Sequence, residues 1–288
     1  MPDVWELAAI ATKFLLYLGV LTSGGLVLCH QAFPDQMSGL ERFVRAWAAG
    51  FGALAVAMSV LAFSLRGGVL MDDVSGMTDP SILALLWETP PGDALLLRLL
   101  GLGVMLVGLA VGGLWLWVAA FGSALAIWSF CEIGHVASKD RLWFQAVLFT
   151  HLIVAAFWLG IFLPLQRLSR SSGTLAQAAD LGHRFGQIAS FTVPFLVVAG
   201  VIMTWRLVGS VSAMVGTSYG LMLLTKIGAV AVLLALGAFN KVRLVPALRD
   251  GDPTVGPRLA KSISLEWFCV WVILLATAIF TSVLAVPT

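Results

Sequence analysis

Eight stretches of mostly apolar residues, each about long enough to cross a bilayer, set the limits on what this chain can become. A membrane helix needs about 20 predominantly apolar residues. Such stretches run at roughly 5–28, 43–65, 94–111, 114–136, 143–165, 187–208, 219–239 and 263–285. The third and fourth are separated only by Gly112-Gly113. A single helix through both would be about 63 Å long, twice the hydrocarbon thickness, so the chain is expected to fold back at the glycine pair. Little remains outside the spans. Of the 288 residues, 60% are apolar and 11% charged, against about 45–50% and 25% in soluble domains. That excludes a soluble globular domain and a disordered tail. A net charge of +2 without a basic stripe leaves no footprint for nucleic acid. The predicted fold is therefore all-α: a polytopic integral membrane protein, one transmembrane domain of eight helices over residues 1–288, with the lipid bilayer as its main surroundings.

The N-terminal MPDVWE has no basic n-region and no cleavage site of the A-x-A type stands in a sensible place, so the first span reads as retained rather than as a signal peptide. Lys and Arg set the orientation. Eight spans put both termini on one side. The loops on the other side hold ten basic residues: Arg42, Arg45, Arg167, Arg170, Arg184, Lys241, Arg243, Arg249, Arg258 and Lys261. The loops on the terminal side hold four: Arg66, Lys139, Arg141 and Arg206. The richer side is expected to be cytoplasmic, with both termini outside. The segment 66–93 then faces outward. It is acidic (Asp72, Asp73, Asp79, Glu88, Asp93) and carries Met71 and Met77. Cys29 falls at an inner end and Cys131 at an outer end, too far apart across the bilayer for a disulfide.

Ionisable groups inside a span are costly and are functional candidates by default. They are Lys13, Arg98, Glu132, His135, His151 and Lys226, with Asn240 and Glu266 near inner ends. The first six all fall in the outer half. Glu132 and His135 are three apart and Cys131 and His135 four apart, which puts them on one helix face. The short turn 136–142 makes the fourth and fifth spans antiparallel neighbours. His135 and His151 are then expected on adjacent helices beneath the same face. Imidazole, carboxylate and thiol in a low-dielectric pocket suit a transition metal such as copper or zinc. Met222, one turn from Lys226, adds a thioether that favours Cu(I). Each candidate has a plainer reading. His135 also reads as an interfacial histidine, and His151 as one partner of a helix–helix hydrogen bond. Lys13 and Arg98 read as cations snorkelling to the outer surface, with Glu6 as a partner for Lys13. Cys131 reads as a small buried hydrophobe. Glu266 and Asn240 read as a structural pair, and His30 and His183 as solvated at inner ends.

Gly134-His135-Val136-Ala137, followed by His151 and by Ala155-Ala156-Phe157-Trp158-Leu159-Gly160, resembles the copper-resistance D (CopD) membrane proteins. That pattern is a Gly-His-Ala, then a His, then an Ala-rich turn ending in Trp-x-Gly. His183-Arg184-Phe185, Tyr219-Gly220 with Leu223-Leu224-x-Lys226, Gly237-x-x-Asn240-Lys241, Pro246-x-Leu248 and Glu266 continue the likeness. It covers about residues 125–285; the first 120 residues match only in their pattern of spans. The resemblance implies a bacterial inner-membrane protein that handles copper between periplasm and cytoplasm, beside a small periplasmic copper carrier of the CopC kind. His135 and His151 map onto the family's histidines. Glu132 and Cys131 do not.

Three functions follow as alternatives. A copper permease would gather the ion on the acidic outer loop and hold it with His135, His151, Glu132 and Met222, with Lys226 weakening the hold by charge. A haem b electron carrier would use two histidines on adjacent helices as axial ligands. A copper-sensing subunit would signal without transport. Catalysis is not expected: the chain has no nucleotide-binding Gly loop and no soluble domain large enough for ATP.

Overall fold

The computed structural model describes residues 3–133 and 141–283, and these are helical with no strand among them. The helices are α1 (Val4–Ala32), α2 (Glu41–Met71), α3 (Pro80–Trp87), α4 (Pro90–Val111), α5 (Trp115–Trp128), α6 (Arg141–Ser169), α7 (Leu175–Val208), α8 (Val211–Gly216), α9 (Ser218–Phe239), α10 (Val245–Arg249) and α11 (Val255–Ser282). Among the described residues, seven helices are long and apolar enough to cross a membrane, and Trp115–Cys131 is a shorter apolar segment. The protein is an all-α polytopic membrane protein. The short segment coincides with the expected span at 114–136. It ends early because α5 gives way to a 3₁₀ turn at Ser129–Cys131. At 1.5 Å per residue it is roughly 25 Å long.

Local chemistry explains where the helices begin and turn. At the start of α1, Asp3 accepts from the Glu6 N–H at 2.7 Å, and the Glu6 carboxylate accepts from the Asp3 N–H at 3.1 Å. This capping box satisfies two of the orphan donors at the helix start. It also engages Glu6, the partner expected for Lys13. Between α4 and α5 the chain reverses at Gly112 and Gly113, with φ of 79° and 58°. Side chains with a Cβ rarely adopt this left-handed region, so the hinge expected at the glycine pair is a true reversal. The two arms close tightly. A Cβ on Gly108 would lie 2.7 Å from the Ala119 nitrogen, which is why small residues line this seam.

Helix α1 is the hub. It packs against α2, α5, α6 and α11, and every residue from Leu18 to Val27 is buried. Lipid tails are as apolar as leucine, so membrane helices associate mainly through close packing of small residues. Gly25 of α1 meets the Ala156 carbonyl and the Gly160 nitrogen of α6 backbone to backbone. Trp5 lies against Gly68 and donates to Asp72 at 3.1 Å, and Lys13 reaches Thr281. The start of α1 and the ends of α2 and α11 therefore share one end of the bundle, called here the terminal end. Gln36 donates to Asp180 at 2.9 Å at the opposite end.

The Gly25–Gly160 crossing leaves no room for side chains. Gly25→Leu is expected to prevent assembly or to destabilise the protein by several kcal/mol, because the neighbouring atoms are backbone and cannot rotate away. Gly103, also in a helix but with nothing within 4 Å of its would-be Cβ, serves as the control. Gly103→Ala should hold or raise stability by up to about 1 kcal/mol. Thermal unfolding in detergent distinguishes the two.

Candidate functional site

The terminal half of α6 carries His151. Its Nδ1 lies 3.2 Å from the Leu196 carbonyl oxygen of α7. A carbonyl only accepts, so Nδ1 carries the proton and Nε2 keeps its lone pair. That is the arrangement by which proteins orient a metal-binding imidazole through its other nitrogen. Gly200, one turn further on α7, lies beside the ring: a Cβ there would make an ordinary contact with Cε1 at 3.6 Å. Lys226 of α9 lies within Coulombic reach of His151, and its ammonium sits 5.4 Å from the centre of the Phe280 ring. Met222 is half-buried in an apolar cluster with Val208, Tyr219, Leu223 and Phe280.

His135 lies outside the described residues, so its meeting with His151 stays an expectation. The shared helix face proposed for Cys131, Glu132 and His135 requires a correction. The α-helix ends at Trp128 and the 3₁₀ turn at Cys131, so Glu132 is already beyond regular helix. Glu132 accepts from Trp128 Nε1 at 2.9 Å and from Gln145 Nε2 at 3.5 Å. Gln145 also donates to the Cys131 carbonyl at 2.9 Å. These bonds fasten the end of α5 to α6. The Cys131 thiol is buried and free, as are Cys29 and Cys269. Among the described residues, no three His, Cys, Asp or Glu side chains gather as a metal-holding group.

Other expectations change as well. Arg98 does not snorkel. It is 4% exposed, donates from Nε to Ser129 Oγ at 2.9 Å and lies 4.4 Å over the Phe130 ring. Lys13 donates to the Thr281 carbonyl at 2.5 Å rather than pairing with Glu6. His30 is not solvated: it is 9% exposed, and among the described residues neither ring nitrogen has a hydrogen-bond partner. Three acids of the terminal-end segment serve the backbone or a neighbour. Asp72 accepts from Trp5, Asp73 from the Ser75 N–H at 2.7 Å, and Asp79 from the N–H groups of Ser81 and Ile82. Met77 packs against Gly68.

Near the opposite end, Glu266 of α11 is 3% exposed. Asn240 Nδ2 donates to its Oε1 and Trp158 Nε1 to its Oε2 at 3.4 Å. Three candidate residues far apart in the chain thus form one buried group. Asn240 opens a π-helical turn, Asn240–Leu244. Pro246 follows it; its ring would collide with the Val242 carbonyl in a regular α-helix, and the wider turn relieves this.

A family model described as Copper resistance protein D matches residues 178–280, and one described as Copper resistance protein D-like, N-terminal domain, matches residues 1–143. The chain belongs to the copper resistance D family. No curated protein and no solved structure in the comparisons matches it. The N-terminal match reaches a region where sequence reading found only a pattern of spans. His151 and Trp158 fall between the two matched segments, whereas Lys226, Asn240 and Glu266 lie within the second. This copper resistance D protein also uses residues that a screen for ionisable groups passes over. Gln145 and Tyr17 are neutral, and Arg66 falls one residue past the span expected at 43–65, whereas α2 runs on to Met71.

The Glu266 group is expected to behave as a structural unit. Asn240→Leu should cost about 1–3 kcal/mol by removing a donor from a buried carboxylate. The double variant Asn240→Leu, Glu266→Met should recover much of that loss, because neither charge nor amide is then stranded. Unfolding of the four members of the cycle in detergent measures the coupling. At the terminal end, the Ser75 hydroxyl and N–H hold the Asp73 carboxyl below the usual range, and those of Ser81, with the Ile82 N–H, do the same for Asp79. A depressed folded-state value stabilises above the unfolded value and fades as pH falls through the folded one. The segment 72–89 should therefore loosen only below about pH 4. Amide exchange across the acid range reads this directly.

Proposed function

We propose that this protein moves copper ions across the bacterial inner membrane, taking them from the periplasm through a site beneath the terminal end of the bundle. The family membership supports copper handling. The observation that carries the site is the Nδ1–H bond from His151 to Leu196, which leaves Nε2 as the nitrogen able to bind an ion. His135 and Glu132 are its proposed companions, and Met222 supplies a softer donor within a turn of Lys226. Conduction needs binding that is loose enough to release. The Lys226 charge near His151 serves that purpose by repelling a cation. The excess of basic loops on the far side supports a cytoplasmic exit. A small periplasmic carrier of the CopC kind would deliver the ion. With no nucleotide-binding loop, the driving force is the ion's gradient, protons or ligand exchange, and no catalysis is assigned.

The test uses purified protein in proteoliposomes. Copper binding at micromolar or tighter affinity and copper uptake are both expected. His151→Ala, alone and with His135→Ala, should weaken binding at least tenfold and slow uptake in proportion. Lys226→Met should tighten binding while slowing release. Unchanged binding in the double histidine variant would remove the site. Binding without uptake in the wild type would favour the sensing role over transport.

A further inference from the structure

Arg66 lies within Coulombic reach of both Lys13 and Arg98 at the terminal end, and among the described residues no carboxylate pairs with any of the three. Geometry links two of them. Lys13 Nζ donates to the Thr281 carbonyl at 2.5 Å. The Tyr17 hydroxyl, one turn deeper on α1, is 3.3 Å from Thr281 Oγ1. The Tyr17 ring centre is 5.2 Å from that of Phe130, and the Arg98 guanidinium lies over the same Phe130 ring. Arg66 enters from α2, within Coulombic reach of Lys13, Tyr17 and Arg98. Among the described residues every partner in this group is neutral: a carbonyl, two hydroxyls and a π face. Arg66 makes neither a hydrogen bond nor an ion pair among the described residues. The Arg98 Nη2 is buried and has no hydrogen-bond partner among the described residues. The nearest acid on α1, Glu6, is closed into the capping box.

Neighbouring cations with only neutral partners repel one another, and the low dielectric of a membrane protein strengthens that repulsion. Such an arrangement calls for an anion. Two guanidinium forks, an ammonium and a phenol present many N–H and O–H donors from different directions. That set suits an anion with several oxygens better than a halide. We propose that Lys13, Arg66, Arg98 and Tyr17 form a binding site for a phosphate-type oxyanion, supplied either by an anionic phospholipid headgroup or as free phosphate. Its position at the end of α11, beside Thr281, places it where headgroups and water are both within reach. The site is separate from His151 and does not rest on copper transport.

The experiment reads the Tm of the full-length protein, stripped of lipid in a neutral detergent. One arm compares inorganic phosphate with chloride at equal ionic strength. The other compares phosphatidylglycerol with phosphatidylcholine. A saturable rise in Tm with phosphate or with phosphatidylglycerol is expected. Arg66→Gln should weaken that apparent affinity at least tenfold. Arg66 is the variant of choice because it leaves no partner stranded. Without ligand, Arg66→Gln should match or exceed the wild-type Tm, one repelling charge having gone. Lys13→Gln provides the second variant if the first does not fold. A response to phosphate alone identifies a free anion, and a response to phosphatidylglycerol alone identifies a headgroup; either supports the site. Chloride acting as well as phosphate, no saturable shift in either arm, or an undiminished shift in Arg66→Gln would overturn it.

Discussion

The crossing of α1 and α6 at Gly25 and Gly160 is the constraint on which the rest of the bundle depends. In lipid there is no water to drive two apolar helices together, so what holds them is the dispersion gained when backbones come close. Two glycines facing each other allow that approach. Once α1 is seated there, its remaining faces are taken by α2, α5 and α11. Both polar regions take their positions from this arrangement. Lys13 and Tyr17 ride on α1 itself, and His151 and Trp158 are held on the helix it grips.

The two ends of the bundle treat charge differently. Near the far end, a carboxylate accepts from two neutral donors, Trp158 of α6 and Asn240 at the end of α9, so Glu266 of α11 joins three elements into one unit. Near the terminal end, Lys13 and Arg98 find only neutral partners among the described residues, and Asp73 and Asp79 of the adjoining segment are occupied as turn and helix caps. Capping an exposed turn with aspartate is inexpensive, because the carboxylate stays in water while it satisfies backbone donors. The acidity of residues 66–93 is therefore largely architectural. Among the described residues, Glu88 and Asp93 are left from that run with no such bond.

Much of the fold was legible because apolar length is a blunt signal. The spans and the reversal at Gly112-Gly113 follow from composition and from the dimensions of a bilayer. The Asn240–Glu266 pairing could also be anticipated, since both sit near the same end of consecutive antiparallel passes. What could not be read was side-chain direction. Arg98 could as easily have reached outward; its burial follows from a serine and a phenylalanine 31 and 32 residues away on the partner helix. The end of α5 was missed because Trp128, Gln145 and Glu132 form a tertiary clasp that no periodicity announces. The bond from His151 was legible as one of two alternatives, a helix–helix hydrogen bond or a ligand. The structure shows the hydrogen bond, and an imidazole held through one nitrogen still keeps the lone pair of the other.

The π-helical turn at Asn240–Leu244 sets a condition on chain length. Such a turn amounts to an α-helix holding one surplus residue. At its first residue Asn240 faces α11, while just past its end Val245 lies against Gly182 of α7. A regular helix through the same stretch would rotate one side against the other by roughly 100°. Shortening this stretch by a single amino acid would thus force a choice between two neighbours that the native chain satisfies together, even though no side chain at either contact had been altered.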